Sequence, residues 1–309
     1  MPKSSARLES LKKSPAPLVL PAAIWLFFFL LIPVLIVVLY SFLSKGPYGN
    51  IVYEFSFANY ARAFDSLYIR VVLDSFKLAL VTTVFCLLVG YPMAYVMATS
   101  SVVVRQLLLL LIIIPFWTNV VVRAYAVKFM LSHGGPLSQM AESLGIAGAL
   151  SDGTLSTGPT AVIIGMFCSY LPFMVLPLYV TLEKFDFGLF EAARDLGASS
   201  WHILSRILLP LTKRGIYTGC ALVFIPALGD FVIPDLLGGA KTMLIGNLIT
   251  EQFLKMRNWP FGSALSVLLI LPILAFLIYH QRESAPAKTM VPEPAPAMQI
   301  TAASDEVLA

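Results

Sequence analysis

Long apolar runs almost free of charge constrain this chain more than any other feature. Residues 18–43 contain 26 positions without a single Asp, Glu, Lys or Arg. Comparable runs recur at 74–98, 106–129, 159–182, 213–236 and 261–280. An α-helix rises about 1.5 Å per residue, so about 20 apolar residues cross a hydrocarbon layer of about 30 Å. Backbone polar groups find no water there, which leaves helices as the economical solution for runs of this length. The pattern predicts an all-α polytopic membrane protein with six transmembrane helices over those ranges. Only 12% of the 309 residues are charged, about half the share usual in soluble domains, so a buried globular core does not account for the runs. The first run far exceeds the roughly 7–15 residues of a signal-peptide core, and is expected to be an uncleaved first span.

Several function classes drop out. A net charge of +4 with no basic patch interleaved with aromatics gives no sign of nucleic-acid binding. Cys86, Cys168 and Cys220 all lie inside apolar runs, where an odd number of thiols reads as packing rather than as disulfides or a metal site. His133, His202 and His280 are scattered, so there is no catalytic nucleophile–base set and no metal ligand set. No GxxxxGK[ST] phosphate loop occurs, so any nucleotide must be bound by another polypeptide. No internal repeat of the kind that builds two-halved secondary transporters is visible. The N-terminal segment and the 183–214 loop together hold nine of the 21 Lys and Arg residues. The positive-inside rule then puts both termini in the cytoplasm. Residues 1–17 are expected to be a cytoplasmic tail, and the Pro- and Ala-rich 281–309 a disordered cytoplasmic tail.

Charges inside spans cost about 2.5–3.5 kcal/mol each on insertion scales, and usually face a cavity or a partner. Span five reads "IPALGDFVIPDLLGG", with Asp230 and Asp235 beside Pro226 and Pro234. Irregular helix at membrane depth is tolerated where it lines a wet or protein-filled space. Span three contributes Trp117 and Asn119 near its middle, with Arg123 beyond them. An indole face attracts cations by about 0.5–2 kcal/mol, although a lone Trp in a span also serves simple packing. Arg123 is expected to pair with Asp230 or another carboxylate. Span four offers Tyr170 and Tyr179, then Glu183 at its end, either a solvated helix terminus or a last acidic step before release. Acids and aromatics without catalytic geometry suit a flexible organic cation as cargo.

Between spans four and five lies a polar island, "EAARDLGASSWHILSRILLP", residues 191–210. Asp186 can cap a short helix ending near Leu196, and Gly197 suits the left-handed position after it. Ser199 or Ser200 then caps a second helix, with Trp201, Leu204 and Leu208 on one face. Pro210 is expected to mark a bend into span five. Periodicity leaves two readings open: an amphipathic hairpin on the membrane surface, or a docking element for a groove in another protein.

The island resembles the EAA loop of ABC-importer permeases, with Glu191, Ala192, Ala193, Gly197, Ile207, Leu209 and Pro210 at the motif positions. The resemblance covers about residues 70–280, with the coupling loop at 187–210 and span one as an N-terminal addition. It implies a type I ABC-importer (MetI-like) permease fold and a cytoplasmic coupling helix seated in a separate ATPase subunit. Glu191 would contact that ATPase and Gly197 would allow the sharp turn. ATP and Mg would sit on the ATPase, with no cofactor on this chain. The stretches "PFWTN", "EAARDLGAS", "LLGGAKTMLIGNLI" and "RNWPFGSA" are similar to spermidine/putrescine permeases. That likeness implies polyamine cargo and a second homologous permease. It also implies a periplasmic substrate-binding protein facing loops 44–73 and 237–260, and a place in the bacterial inner membrane. Another small solute, or an ion-coupled secondary transporter, remains the alternative.

Overall fold

The computed structural model describes residues 16–47, 49–132, 134–143, 157–239 and 242–284. Most of the two expected tails, and His133, lie outside them. Four helices are long and apolar enough to cross a membrane: α1 (Val19–Ser41), α3 (Ser66–Thr99), α7 (Pro159–Glu183) and α9 (Ser200–Gly229). A bent pair, α4 (Val102–Ile113, with a 3-10 turn to Trp117) and α5 (Val120–Leu131), makes a fifth if counted as one span. The last helix, α12 (Trp259–Ser284), is apolar over Trp259–Ala275. Shorter helices α2 (Ala58–Ala63), α6 (Pro136–Ser143), α8 (Gly188–Asp195), α10 (Val232–Leu237) and α11 (Ile245–Leu254) lie between them. A two-residue antiparallel ladder pairs β1 (Ser44–Lys45) with β2 (Ile51–Val52). The chain is an α-helical, multi-pass membrane protein.

The core is organised around α7. Its buried Met174, Val175, Leu178 and Leu182 meet Cys86, Ala94 and Met97 of α3 and Val223 of α9. Its other half, with Ala161, Val162 and Met166, packs on Ala124 and Val127 of α5 and on Ile233 and Leu237 of α10. Within a bilayer, helix association depends on close packing rather than on escape from water, which favours small residues at contacts. A Cβ on Gly219 would stand 2.7 Å from the Met174 sulfur, and one on Gly90 3.0 Å from Met174 Cγ. These two glycines let α9 and α3 close on α7.

Two of the six spans read from the sequence are broken, one of them span five, where irregular helix was expected beside Pro226 and Pro234. The 106–129 span bends by 102° between Trp117 and Val120. Pro115 has no N–H to continue the ladder, Thr118 turns extended (ψ 140°), and Asn119 starts a fresh helix by accepting from the Val121 N–H at 2.8 Å. The 213–236 span stops at Asp230, whose backbone is extended (φ −66°, ψ 134°). Its Oδ1 accepts from the N–H groups of Val232 at 2.9 Å and Ile233 at 3.4 Å, capping α10. In both spans a short polar side chain offers the backbone a local partner and so ends one helix and opens the next.

Pro210, by contrast, makes no bend that ends the helix. Ser200–Gly229 runs as a single helical stretch. A π-helical turn at Leu204–Leu208 absorbs the proline, with the Leu209 N–H reaching back to Leu204 O. The wider turn moves the carbonyl that the proline ring would otherwise strike. The same device occurs in α1, where a π turn at Phe27–Leu31 precedes Pro33.

Candidate functional site

Two sites emerge at separate levels of the molecule. The first is the polar island. Asp186 Oδ1 accepts from the Gly188 N–H at 2.9 Å and opens α8. At the other end the Gly197 N–H donates to Arg194 O (2.8 Å) and the Ala198 N–H to Ala193 O (3.0 Å). This is the paired closure that follows a helix when the next residue is left-handed. Gly197 has φ +81°, with no atom within 4 Å of where a Cβ would stand. Its requirement is therefore conformational and not steric. Ser199 then caps the second helix by accepting from the His202 N–H, and its hydroxyl lies 3.0 Å from His202 Nδ1.

The loop's underside is anchored. Ile203 and Leu208 are buried, and Phe190 and Leu204 pack against the α7 cluster. Its outer side is open: Glu191, Ala192 and Gly197 are exposed, with Leu196 89% and Trp201 71% exposed. Ala193 and Ile207 are half-buried, while Leu209 and Pro210 lie at an exposed level on α9. Trp201 does not share the buried face of Leu204 and Leu208 as the periodicity suggested. Instead it stands outward with Leu196 on either side of the Gly197 turn, so two large apolar groups flank a polar helix.

The second site gathers around the two helix breaks, both of which face α7. Tyr170 Oη donates to Asp230 Oδ2 at 2.9 Å. One residue before it, Ser169 O accepts from Arg123 Nη1 at 3.3 Å. The other arm of Arg123 donates to Pro115 O, and to Thr118 O at 3.2 Å. Arg123 therefore binds the carbonyls freed by its own span's break. Among the described residues it forms no ion pair with Asp230, contrary to expectation. The reason is local: a guanidinium presents five donors in a fixed fork, and the break leaves the Thr118 and Pro115 carbonyls within its reach.

α11 closes the Asp230 break from the other side. A Cβ on Gly246 would lie 2.5 Å from Asp230 O and 2.7 Å from Gly229 O, so only glycine allows this approach. Asn247 Nδ2 donates to Phe231 O at 3.1 Å, while its Oδ1 is buried without a partner. Of the residues singled out in the sequence, Asp230 and Tyr170 are thus brought together. Trp117, 90% exposed, stands at the other break, and Asn119 spends its side chain on the cap. Asp235 is exposed in the first turn of α10.

Tyr179 and Glu183 belong elsewhere. Glu183 Oε1 accepts from Tyr179 Oη at 2.6 Å and pairs with Arg105 Nη1 at 3.3 Å. Thirteen residues of helix, about 20 Å, separate Glu183 from Tyr170. The Arg105 contact ties the start of α4 to the end of α7, at the root of the polar island. Glu183 is exposed at the end of α7 and is engaged there by Tyr179 and Arg105. The sequence reading missed Gly246, Asn247 and this use of Arg105. "IGN" in span-flanking text carried a signal for the first two, since a glycine beside a short amide marks close backbone approach.

Residues 87–283 match the family model described as "Binding-protein-dependent transport system inner membrane component". The chain is 45% identical over 258 residues to the spermidine/putrescine transport system permease protein PotB of Haemophilus influenzae, covering 83% of this chain and 90% of that one. It is 45% identical over 260 residues to PotB of Escherichia coli, covering 84% and 94%. More distantly, it is 28% identical over 242 residues to the inner membrane ABC transporter permease protein YdcU of Escherichia coli, covering 75% and 77%. Among solved structures, it resembles a crystal structure of a bacterial ABC transporter involved in the import of the acidic polysaccharide alginate. That match has TM-score 0.67 and 18% identity, covering 91% of this chain and all of that one. A second alginate transporter structure, in complex with an alginate pentasaccharide-bound periplasmic protein, matches with TM-score 0.64 and 17% identity. At such identities the structures speak for the fold alone.

Proposed function

We propose, for a chain that belongs to the family of binding-protein-dependent inner-membrane transport components, that it is the permease subunit of an ABC importer for polyamines. The observation that carries this reading is 45% identity to spermidine/putrescine permeases across nearly their whole length. The geometry supports the importer half of it independently. An exposed helix–turn–helix with the EAA residues, rooted in the core and open on its outer side, is what a separate ATPase subunit would grip. On this reading ATP and Mg reside on that ATPase, a second related permease completes the pathway, and a periplasmic binding protein delivers cargo. Both termini and residues 188–210 then face the cytoplasm. The chain is a transport component, and the work of hydrolysis falls to its partner.

Cargo passes the Asp230 break. Asp230 spends its Oδ1 on two backbone amides and its Oδ2 on one hydroxyl, which leaves one of about four carboxylate lone-pair positions open. The unfilled Asn247 Oδ1 flanks the same break. Ammonium groups on a flexible chain are donors without acceptor character, and so match both. The exposed Trp117 marks the α4–α5 break, whose Arg123 reaches Ser169 O beside Tyr170.

Asp230→Asn tests the cargo reading cleanly. An amide oxygen caps a helix about as well as a carboxylate, so the break and the assembly survive. Polyamine uptake by the assembled importer should fall about tenfold, equivalent to about 1.4 kcal/mol. Unchanged uptake assigns Asp230 a purely structural role.

A further inference from the structure

The segment joining α1 to α3 sits at the end of the molecule opposite the polar island. α3 is 34 residues long, about 50 Å; the segment meets its Ser66 end, and Arg105 and Glu183 lie just past its Thr99 end. The segment is strapped to the last turn of α1. Asn59 Nδ2 donates to Ser41 O at 3.1 Å and to Leu43 O at 2.8 Å. The Ser56 N–H donates to Phe42 O at 2.8 Å, and the hydroxyls of Ser41 and Tyr60 lie 2.7 Å apart. These bonds satisfy carbonyls that a helix end otherwise leaves free, and they fix the segment at the depth where the span stops.

What the strap presents is aromatic. Phe42 and Phe55 stack at 5.2 Å, and Phe57 meets both edge-on, at 5.6 Å and 5.2 Å. Yet Phe55 and Phe57 remain 69% and 63% exposed, with Tyr53 and Phe64 exposed beside them. A water-facing loop gains nothing from four such rings; each carries some 150–250 Å² of largely apolar surface. The patch continues the outward apolar flank of α1, where Leu35, Ile36 and Leu39 are exposed. Charged neighbours interleave: Glu54 and Arg62 are exposed, and the Arg62 guanidinium sits 4.6 Å from the centroid of the Phe261 ring.

We propose that residues 53–64 form an aromatic foot seated in the headgroup layer of the bilayer, on the face opposite the polar island. Its partner is a lipid surface and not a soluble protein. Aromatic rings prefer that layer, where an apolar body meets the acyl boundary while polar groups stay wet. The consequence is a division of labour on this face: the foot holds the ends of α1 and α3 at a fixed depth, and any delivering protein docks elsewhere. The inference rests on the membrane-spanning fold and not on the identity of the cargo, so a failure of the polyamine reading leaves it untouched.

The test uses the full chain assembled with its companions in phosphatidylethanolamine/phosphatidylglycerol nanodiscs. Phe57→p-benzoylphenylalanine and, separately, Phe55→p-benzoylphenylalanine are illuminated, and the adducts are weighed by intact-mass spectrometry. The expected result is that most cross-linked chain carries the mass of one phospholipid, with the same yield when a saturating periplasmic binding protein is added. Adducts to the binding protein or to the second permease, or no lipid adduct at either position, overturn the proposal. Expression of either variant at reduced level leaves the adduct mass readable, because the measurement is a ratio within the labelled population.

Discussion

Gly197→Val should abolish ATP-driven uptake while leaving the chain inserted and folded. Valine at φ +81° meets the left-handed penalty of about 1–2 kcal/mol, increased by its branched Cβ. No neighbouring atom stands within 4 Å of the new Cβ, so the strain is relieved only by unwinding the turn. Unwinding releases the Gly197 and Ala198 hydrogen bonds to Arg194 and Ala193 and displaces the exposed Leu196. The core lies beneath, in Ile203, Leu208 and α7, and is not touched. The expected readouts are wild-type yield and melting in detergent, together with loss of ATPase co-purification and at least about a tenfold fall in uptake, a change of about 1.4 kcal/mol or more. Gly197→Asn, which tolerates the left-handed region far better, should retain most of the activity. If Gly197→Val transports normally, the turn has no part in coupling.

The second large effect falls on stability. Arg123→Ala removes one donor each from Ser169 O, Pro115 O and Thr118 O, of which Pro115 O keeps the Thr118 N–H and hydroxyl. A hydrogen bond to a charged group contributes about 1.5–3 kcal/mol, and the low end applies to each of these part-buried or exposed contacts. Several kcal/mol of loss is comparable to the whole stability of a typical domain, about 5–15 kcal/mol. The expected outcome is loss of monodisperse protein after detergent extraction, with the α4–α5 bend no longer held against α7. Arg123→Lys supplies three donors from one point rather than a fork, and should recover expression in part with a lowered melting temperature. Full stability in the alanine variant contradicts the account of the break.

Span existence was legible because it rests on bulk transfer energy summed over twenty residues. Span continuity was not. Asn119 and Asp230 divide their spans through one or two side-chain-to-amide bonds, which a sum over an apolar window does not register. Pro115 sits at a break that was not expected, whereas Pro210, expected to mark a bend, was absorbed by a π turn. A proline's consequence depends on whether the preceding turn can widen, which neighbours decide. Arg123 was read through charge, as a residue in want of a carboxylate. The structure satisfies it with carbonyls, which no residue-type argument reveals because every residue has one. The Tyr170–Asp230 bond joins positions 60 residues apart, and the sequence reading did not join them. The polar island was the most legible part, since capping and left-handed glycine are written locally. The outward stance of Trp201 and the unbroken helix at Pro210 departed from its pattern.

Everything in the importer reading depends on work delivered through residues 188–210 by a partner that hydrolyses ATP. Reconstitution in proteoliposomes with labelled spermidine measures this directly. Uphill uptake should appear only when the chain is joined by the second permease, the ATPase subunits, the binding protein and ATP, and should vanish when the ATPase subunits alone are omitted. Uphill accumulation by the purified chain with no companion present contradicts the account.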